Sequence, residues 1–225
     1  MEKLLGNSQG FLEGKGSIAS NLRMHRFWLQ SLLLILLASV TSASNAGAIH
    51  DAARSGDLEQ IQRLIVKGTD VNEYSNQNET PLIIASLAGQ GEIVGYLLQR
   101  GADIDARNTT GLTALHAAAY AGHADIVTLL VVRGAAVNDA ENLFGVTPLH
   151  LASEENHIET VQALLVHDAD IAALEGNGYS AMSRAGWREH WDIVKALLAK
   201  GETCQRADKV GEWLYQECSK RKGVN

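Results

Sequence analysis

The chain has 225 residues and a formal net charge of −7, which is enough sequence for one or two domains with a real core. Hydrophobic residues make up 46% of it and charged residues 20%, so a disordered or fibrous chain is excluded. The acidic balance argues against a nucleic-acid-binding protein, and two cysteines exclude a disulfide-dense scaffold or a cysteine-rich zinc module. Two prolines and 5% aromatic residues favour a helical fold over a β-sandwich.

The first recognisable segment is typical of a secretory signal peptide. Residues 27–40 form a short apolar run, FWLQSLLLILLASV, between a basic RMHR segment and a stretch of small residues. A membrane-spanning helix needs roughly 17–25 apolar residues, so no permanent membrane span is expected. Cleavage after Ala43 or Ala46 fits the small residues there, and an uncleaved signal-anchor is the alternative.

The segment before the apolar run is longer than an ordinary n-region. A start at Met24 would give an n-region of normal length. We therefore interpret 1–46 as an n-region extension followed by the signal peptide, with residues 1–23 the result of a misassigned start codon; a genuine but disordered extension is the alternative. This segment carries four basic and two acidic side chains, so its removal takes the net charge from −7 to −9. A partner attracted by charge would therefore be cationic.

The remainder is one unit repeated five times. The segments PLIIA (81–85), ALHAA (114–118), PLHLA (148–152) and AMSRA (181–185) begin 33, 34 and 33 residues apart. A second column, Gly68, Gly101, Gly134, Asp168 and Gly201, keeps the same register, as does a third column of Leu/Ile/Val-rich runs. Three columns in one register over five units indicate a repeat architecture.

Each unit predicts two helices separated by a loop. A turn-rich segment leads to an N-cap residue, Thr80, Thr113, Thr147 or Ser180, and then to a short alanine-rich helix. A second helix with apolar residues at helical spacing ends at the glycine column, where a left-handed residue closes the helix. One unit cannot bury its apolar face alone, so the units must stack.

These residues resemble the ankyrin repeat, most closely in GLTALHAAAYAGHADIVTLLVVRGAAVN (111–138) and GVTPLHLASEENHIETVQALLVHDADI (145–171). The resemblance implies an all-α fold, a helical solenoid with β-hairpin fingers, built from five stacked ankyrin repeats plus a C-terminal capping helix. The boundaries expected are 47–204 for the repeats (48–72, 73–106, 107–139, 140–172, 173–204) and 205–225 for the capping tail.

The tail predicts one amphipathic helix that covers the last repeat with Trp213, Leu214 and Val210, although Gly211 weakens it. A separate docking peptide is the alternative. In an exported protein Cys204 and Cys218 would form a disulfide that clamps the tail, with two free thiols as the alternative.

Catalytic motifs and metal-ligand clusters are absent from the sequence pattern. The chain has no nucleophile elbow, P-loop or HExxH motif, so neither an enzyme nor a cofactor is expected. Two columns of the repeat contain histidine: one holds His116 and His150, the other His123, His157 and His190. The ankyrin resemblance implies that both columns have structural roles, so no metal site is expected there. The neighbours Glu154 and Glu155 point apart on a helix and predict an exposed acidic face.

The resemblance also implies where a partner binds, because finger tips and first helices form the concave binding surface of the family. Carried over to this chain, the partner-binding residues expected are Tyr74, Gln77, Thr110, Leu112, Tyr120, Leu143, Phe144, Val146, Glu154, Tyr179, Trp187 and Arg188. Apolar and aromatic side chains on such a surface indicate an interface. Local packing of Leu143 and Phe144 inside a longer finger is the alternative.

The sequence as a whole therefore predicts an exported, monomeric, non-catalytic module that binds a protein partner. It would be periplasmic in a bacterium, with secretion or a membrane tether as alternatives. The alternative functions are a structural or envelope-stress accessory protein without one tight partner, and a secreted effector that acts in a host cell. Fold alone names no partner.

Overall fold

The structure is a computed structural model that describes residues 47–222. The predicted signal peptide lies outside the described residues. Ten of the twelve helices in the described part form five antiparallel pairs and the last two form the tail. In chain order they are α1 Ala48–Ser55, α2 Leu58–Val66, α3 Pro81–Leu87, α4 Gly91–Gln99, α5 Ala114–Ala121, α6 Ala124–Val132, α7 Pro148–Glu154, α8 Ile158–Val166, α9 Ala181–Trp187, α10 Trp191–Ala199, α11 Ala207–Val210 and α12 Glu212–Lys222.

The predicted N-caps begin the first helices of repeats 2 to 5. Thr80 and Ser180 each accept a hydrogen bond from the backbone N–H three residues later. Thr113 and Thr147 form reciprocal capping boxes in which the histidine three residues later bonds back to the cap. These bonds satisfy N–H groups that a helix start leaves without partners, so each first helix has a defined beginning.

The glycine column ends the second helices in the left-handed region. Gly68, Gly101, Gly134 and Gly201 have φ between +86° and +103°. Asp168 takes the same conformation at φ +61°, which a short polar side chain tolerates better than most. The column of glycine and aspartate residues in the sequence therefore marks the C-terminal ends of the second helices.

The first helices of the five repeats pack side by side into one row, which we call the first-helix row. Ala85, Ala118, Ala152 and Ala185 are completely buried in it, and their small side chains let neighbouring backbones approach closely. The second helices pack on this row through apolar residues such as Ile93 and Leu97. The repeats thus form one continuous all-α stack, a helical solenoid.

The fingers are tight turns, whereas the sequence predicts β-hairpins with paired strands. We define the fingers as residues 73–80, 106–113, 140–147 and 173–180. Three of them are closed by one backbone bond each, such as Asn108 N–H to Leu112 C=O at 3.0 Å. An isolated bridge between Leu174 and Ser180 is the one β-type pairing in residues 47–222. The arms are too short for a ladder, and in three of the turns a side chain, Ser75, Asn108 or Asn142, accepts hydrogen bonds from turn N–H groups instead.

The tail caps the last repeat with two helices where the sequence predicts one. Gly211, at φ +85° and ψ 150°, separates α11 from α12. Leu214 is buried against Gly186, where an added Cβ would lie 2.6 Å from Cδ1 of Leu214. Trp213 remains 41% exposed and meets the ring of Trp191 at 6.2 Å between centroids, so it covers less of the repeat than expected.

A disulfide and one glutamine side chain hold the tail on the repeat. Cys204 and Cys218 are joined with their Cα atoms 5.8 Å apart. Closing a loop of 14 residues contributes about 3 kcal/mol by the chain-entropy argument. Gln205 accepts from the Ser180 N–H at 3.0 Å and donates to the Gly178 carbonyl at 2.8 Å. The tail therefore supplies hydrogen-bond partners for the finger of the fifth repeat, which has no sixth repeat beside it.

Two buried carboxyl groups occupy columns that are apolar in other repeats. Glu79 takes the place of Leu112 and Val146, and burial, partly opposed by Arg54, raises its pKa to about 7. Glu202 takes the place of Ala169, and burial, opposed by a Ser180 hydrogen bond and reinforced by Asp170, raises its pKa to about 7.

We expect Glu79→Gln to stabilise the protein at pH 8 by up to about 3 kcal/mol. The folded chain keeps a proton on Glu79 up to about pH 7, whereas the ordinary value is 4.5. Ionising the buried group costs folding free energy, so stability falls as the pH rises from 5 to 8. The difference in melting temperature between the variant and the unmodified protein should shrink on going from pH 8 to pH 5. The matched control Glu92→Gln, on an exposed residue of α4, should show no such trend.

Candidate protein-interaction surface

The four fingers are joined into a continuous row by hydrogen bonds between neighbours. The Thr109 hydroxyl donates to the Gln77 carbonyl at 3.3 Å. The Leu143 N–H donates to the Thr110 carbonyl at 3.0 Å, and the Gly176 N–H to the Phe144 carbonyl at 2.8 Å. A Cβ at Gly176 would lie 2.9 Å from that carbonyl oxygen, so glycine permits the approach. The finger tips are therefore fixed relative to each other.

One histidine column, His50, His116 and His150, ties three of the five first helices to the next finger. Nε2 of His150 lies 3.1 Å from the Tyr179 carbonyl, and Nε2 of His116 lies 3.1 Å from the Val146 carbonyl. Burial lowers the pKa of both imidazoles, in His150 to about 4, with Arg184 adding to the shift there. Both rings are neutral at neutral pH and bridge repeats through hydrogen bonds. The structural role predicted for this column is confirmed.

The other histidine column ties the loops to the preceding repeat. Nε2 of His123, His157 and His190 lies 2.9–3.2 Å from the carbonyls of Leu87, Tyr120 and Glu154 respectively. Gln90 makes the equivalent bond to the Arg54 carbonyl at 3.2 Å. The last turns of the first helices are thereby held in a second row beside the fingers. In residues 47–222 no group of three His, Cys, Asp or Glu side chains could hold a metal ion.

Eight of the twelve predicted binding residues reach this surface. Leu143 is 74% exposed at a finger tip and Tyr74 is 48% exposed. Local packing of Leu143 inside its finger is therefore excluded. Arg188 is exposed too, and the remaining residues are half-buried: Gln77, Tyr120, Phe144, Tyr179 and Trp187. Leu174, which the sequence analysis did not name, is 56% exposed on the next finger.

The prediction that Thr110, Leu112, Val146 and Glu154 contact a partner is wrong, because all four are buried. Thr110 turns inward and its hydroxyl and N–H bond to Oδ1 of Asn108 at 2.8 and 3.0 Å. Leu112 and Val146 directly precede an N-cap, at the point where the chain enters the stack. The sequence pattern located the fingers correctly but misassigned the side chains that face inward.

Glu154 belongs to a buried ion network that the sequence analysis missed. The Arg184 guanidinium contacts both Glu154 and Glu175, and Arg188 bonds to the other oxygen of Glu154 at 2.9 Å. Burial disfavours the Arg184 charge, but the two carboxylates outweigh it and raise the pKa of Arg184. A signal was present in the sequence, since Arg184 occupies a column that holds Leu151 in the fourth repeat.

A second ion network links the fingers of the third and fourth repeats. The Arg107 guanidinium makes two bonds to the Asp139 carboxylate, at 2.8 and 3.2 Å, and bonds to the Gly111 and Glu141 carbonyls at 3.0 Å. Burial raises the pKa of Asp139, but the hydrogen bonds from Arg107 and from the Glu141 N–H, together with nearby positive charge, outweigh burial and leave the pKa lowered. Paired, planar contacts of this kind add geometric specificity as well as energy.

Aromatic rings lie next to the buried network at the fifth repeat. Tyr179 and Trp187 meet edge to face with centroids 4.3 Å apart. Tyr120 lies near the fourth repeat, and burial, with Glu155 and Glu154, raises the pKa of its hydroxyl to about 12. Large rings held against fixed neighbours offer contact area at low entropic cost.

A family model described as "Ankyrin repeats (3 copies)" matches residues 49–141 and 125–208. The chain belongs to the ankyrin-repeat family. None of the curated proteins matches the sequence.

Membership of this family defines the general class of the protein. Ankyrin repeats are typically non-enzymatic modules that bind other proteins. None of the helices in residues 47–222 is long and apolar enough to cross a membrane.

We expect Arg184→Leu to lower the free energy of unfolding by about 3–5 kcal/mol, because it leaves the buried Glu175 carboxylate without a cation and Glu154 with only the exposed Arg188. Leucine restores the side chain that the fourth repeat has in this column, so lost packing would not explain the effect. Arg188→Ala removes the exposed partner and should cost less than about 1 kcal/mol. Thermal unfolding followed by circular dichroism measures both. Equal losses in the two variants would contradict the assignment of the network to Arg184.

Proposed function

We propose that this chain is an exported protein whose ankyrin repeats bind another protein through the fingers and the last turns of the first helices. We call this surface the finger face and define it by Tyr74, Gln77, Tyr120, Leu143, Phe144, Leu174, Tyr179, Trp187 and Arg188. The observation that carries the proposal is the exposure of Leu143 and Leu174, at 74% and 56%, on adjoining fingers beside aromatic rings. Exposed apolar side chains rimmed by polar ones are typical of an interaction surface.

The rigidity of the finger face supports this function. Hydrogen bonds join each finger to its neighbour, and histidine side chains hold the helix ends in register. A surface that is ordered before binding loses little conformational entropy when a partner docks, so more of the contact energy appears as affinity. Aromatic anchors such as Trp187 commonly dominate such interfaces.

The net charge of the chain indicates which kind of partner surface it would attract. Without residues 1–46 the chain has a net charge of −9, and Glu141 places an exposed carboxylate on the finger of the fourth repeat. A partner with a positive surface would be attracted from a distance and oriented on approach. We therefore propose a cationic protein as the partner and a monomer as the binding species.

Export is supported by two independent observations. The apolar run at 27–40 is preceded by basic residues and followed by small ones, which is typical of a cleaved signal peptide. The disulfide between Cys204 and Cys218 is the kind of bond that persists in oxidising compartments. A bacterial periplasm is the compartment we propose.

Binding is tested with the full chain, tagged at its C-terminus, as bait in the exported fraction of its own cells. We expect one stoichiometric partner that is retained by the unmodified protein and lost with Leu143→Asp. Val166→Asp is the matched control, because Val166 is equally exposed, at 74%, but lies on the second helix α8. A partner lost equally with both variants, or with neither, would exclude the finger face.

Export is tested on the protein recovered from the exported fraction. We expect an N-terminus at Ser44 or Gly47, which follow the two proposed cleavage positions, and no reactive thiol before reduction. The measurements are N-terminal sequencing and thiol labelling with and without reductant. An intact N-terminus together with two labelled thiols would contradict export.

A further inference from the structure

The ion network at the fourth and fifth repeats is short of one positive charge. Glu154, Glu155 and Glu175 supply three carboxylates, whereas Arg184 and Arg188 supply two guanidinium groups. Both arginines bind Glu154, and Arg184 also binds Glu175. Among the described residues the Glu155 carboxylate makes neither an ion pair nor a hydrogen bond, although it is half-buried. Glu155 is therefore the carboxylate of this group that has no ion-pair partner within the described residues.

Glu155 lies in the row of helix ends, at the edge of the finger face. The bonds from His157 to Tyr120 and from His190 to Glu154 hold these ends in register. Position by position, Glu155 falls between Ala121 of the third repeat and Arg188 of the fifth. Alanine is too short to cover the carboxylate on one side, and on the other side Arg188 is engaged by Glu154 at 2.9 Å.

Tyr120 supplies an aromatic surface at the same place. Its backbone carbonyl lies 3.0 Å from Nε2 of His157, two residues after Glu155, so the last turn of α5 adjoins the end of α7. Burial first, and then the charges of Glu155 and Glu154, raise the pKa of the Tyr120 hydroxyl. Burial and then Glu154 raise the pKa of Glu155, whereas the charges of Arg188 and Arg184 lower it by less, so the two arginines compensate this carboxylate only in part. A cation at this point would gain from the carboxylate and from a neighbouring aromatic ring.

We propose that Glu155 and Tyr120 bind an arginine or lysine side chain of the protein partner, with apolar neighbours of that side chain packing toward Leu143 and Trp187. The incoming cation would complete the network as a third positive charge. This inference rests on the proposed function and names the chemistry of the partner: an extended segment in which a basic residue is flanked by apolar ones. Arginine suits the site best, since its planar group can bind a carboxylate and stack on a ring together.

The experiment is a selection of short random peptides displayed on phage, carried out on the full-length oxidised chain. The peptide with the highest affinity is then synthesised, together with a version in which citrulline, the uncharged analogue, replaces each arginine, or norleucine each lysine. Binding of both peptides is measured by calorimetry or fluorescence anisotropy. The protein variants are Glu155→Gln, Ala121→Lys, Leu143→Asp on the finger face, and the matched control Glu159→Gln on an exposed position of α8.

We expect the selected peptides to share a basic residue beside an apolar one. Affinity should fall about tenfold or more with Glu155→Gln and with the uncharged peptide, as the loss of a buried ion pair implies. Ala121→Lys should weaken binding as well, because it places a cation of the chain itself beside Glu155. Glu159→Gln should leave affinity unchanged, and circular dichroism should show that all variants remain folded.

The opposite results separate this inference from the proposed function. Peptides that depend on Leu143 but tolerate Glu155→Gln and the uncharged substitution would overturn the cation site and leave the finger face intact. Peptides that tolerate both Leu143→Asp and Glu155→Gln, or a selection that yields no binding peptide, would overturn both.

Discussion

The structure depends on polar side chains that reach from one repeat to the backbone of the next. Nε2 of His150 meets a finger carbonyl of the fifth repeat, and Nε2 of His190 meets the end of α7 in the fourth. Stacking buries these carbonyl groups away from water, and without the side-chain donors they would have no hydrogen-bond partner. Because partners come from neighbouring units, no repeat is complete alone, and the order of the stack follows from this requirement. The tail obeys the same rule, since Gln205 satisfies the finger that has no sixth repeat beside it.

Rigidity and function have the same origin in this chain. The bonds that complete the backbone also fix the fingers, so the exposed side chains of the finger face are presented in one arrangement. Side chains that differ between repeats can then determine which partner binds, because the backbone that presents them is fixed by these bonds. The fourth and fifth repeats carry the buried arginine, the paired aromatic rings and the exposed Leu143, whereas the second repeat carries the buried Glu79, whose pKa is raised to about 7. The specialised end of the stack is therefore its C-terminal half.

Much of the fold was predictable because repetition makes weak signals agree. Threonine caps, alanine-rich helices and the glycine column recur at one spacing, so an error at one position is corrected by the others. Asp168 fitted the glycine column and takes the conformation expected of it. The site was harder to predict, since fingers carry no periodic pattern that separates inward from outward side chains. Leu112 and Leu143 are the same residue type on adjoining fingers, yet one is buried and the other is 74% exposed.

The sequence by itself determined the family, the number of repeats, the helix starts and the helix ends. These are local properties, set by caps, left-handed residues and the burial of one helix face. Only the tertiary structure decided which carboxylates are paired, because Glu154 forms an ion pair with Arg184 across 30 residues of chain whereas Glu155, its neighbour, forms none within residues 47–222. It also decided that the tail breaks at Gly211 and that the fingers are turns. Such features depend on which groups from different repeats come within a few ångströms, and adjacency in sequence carries no information on that distance.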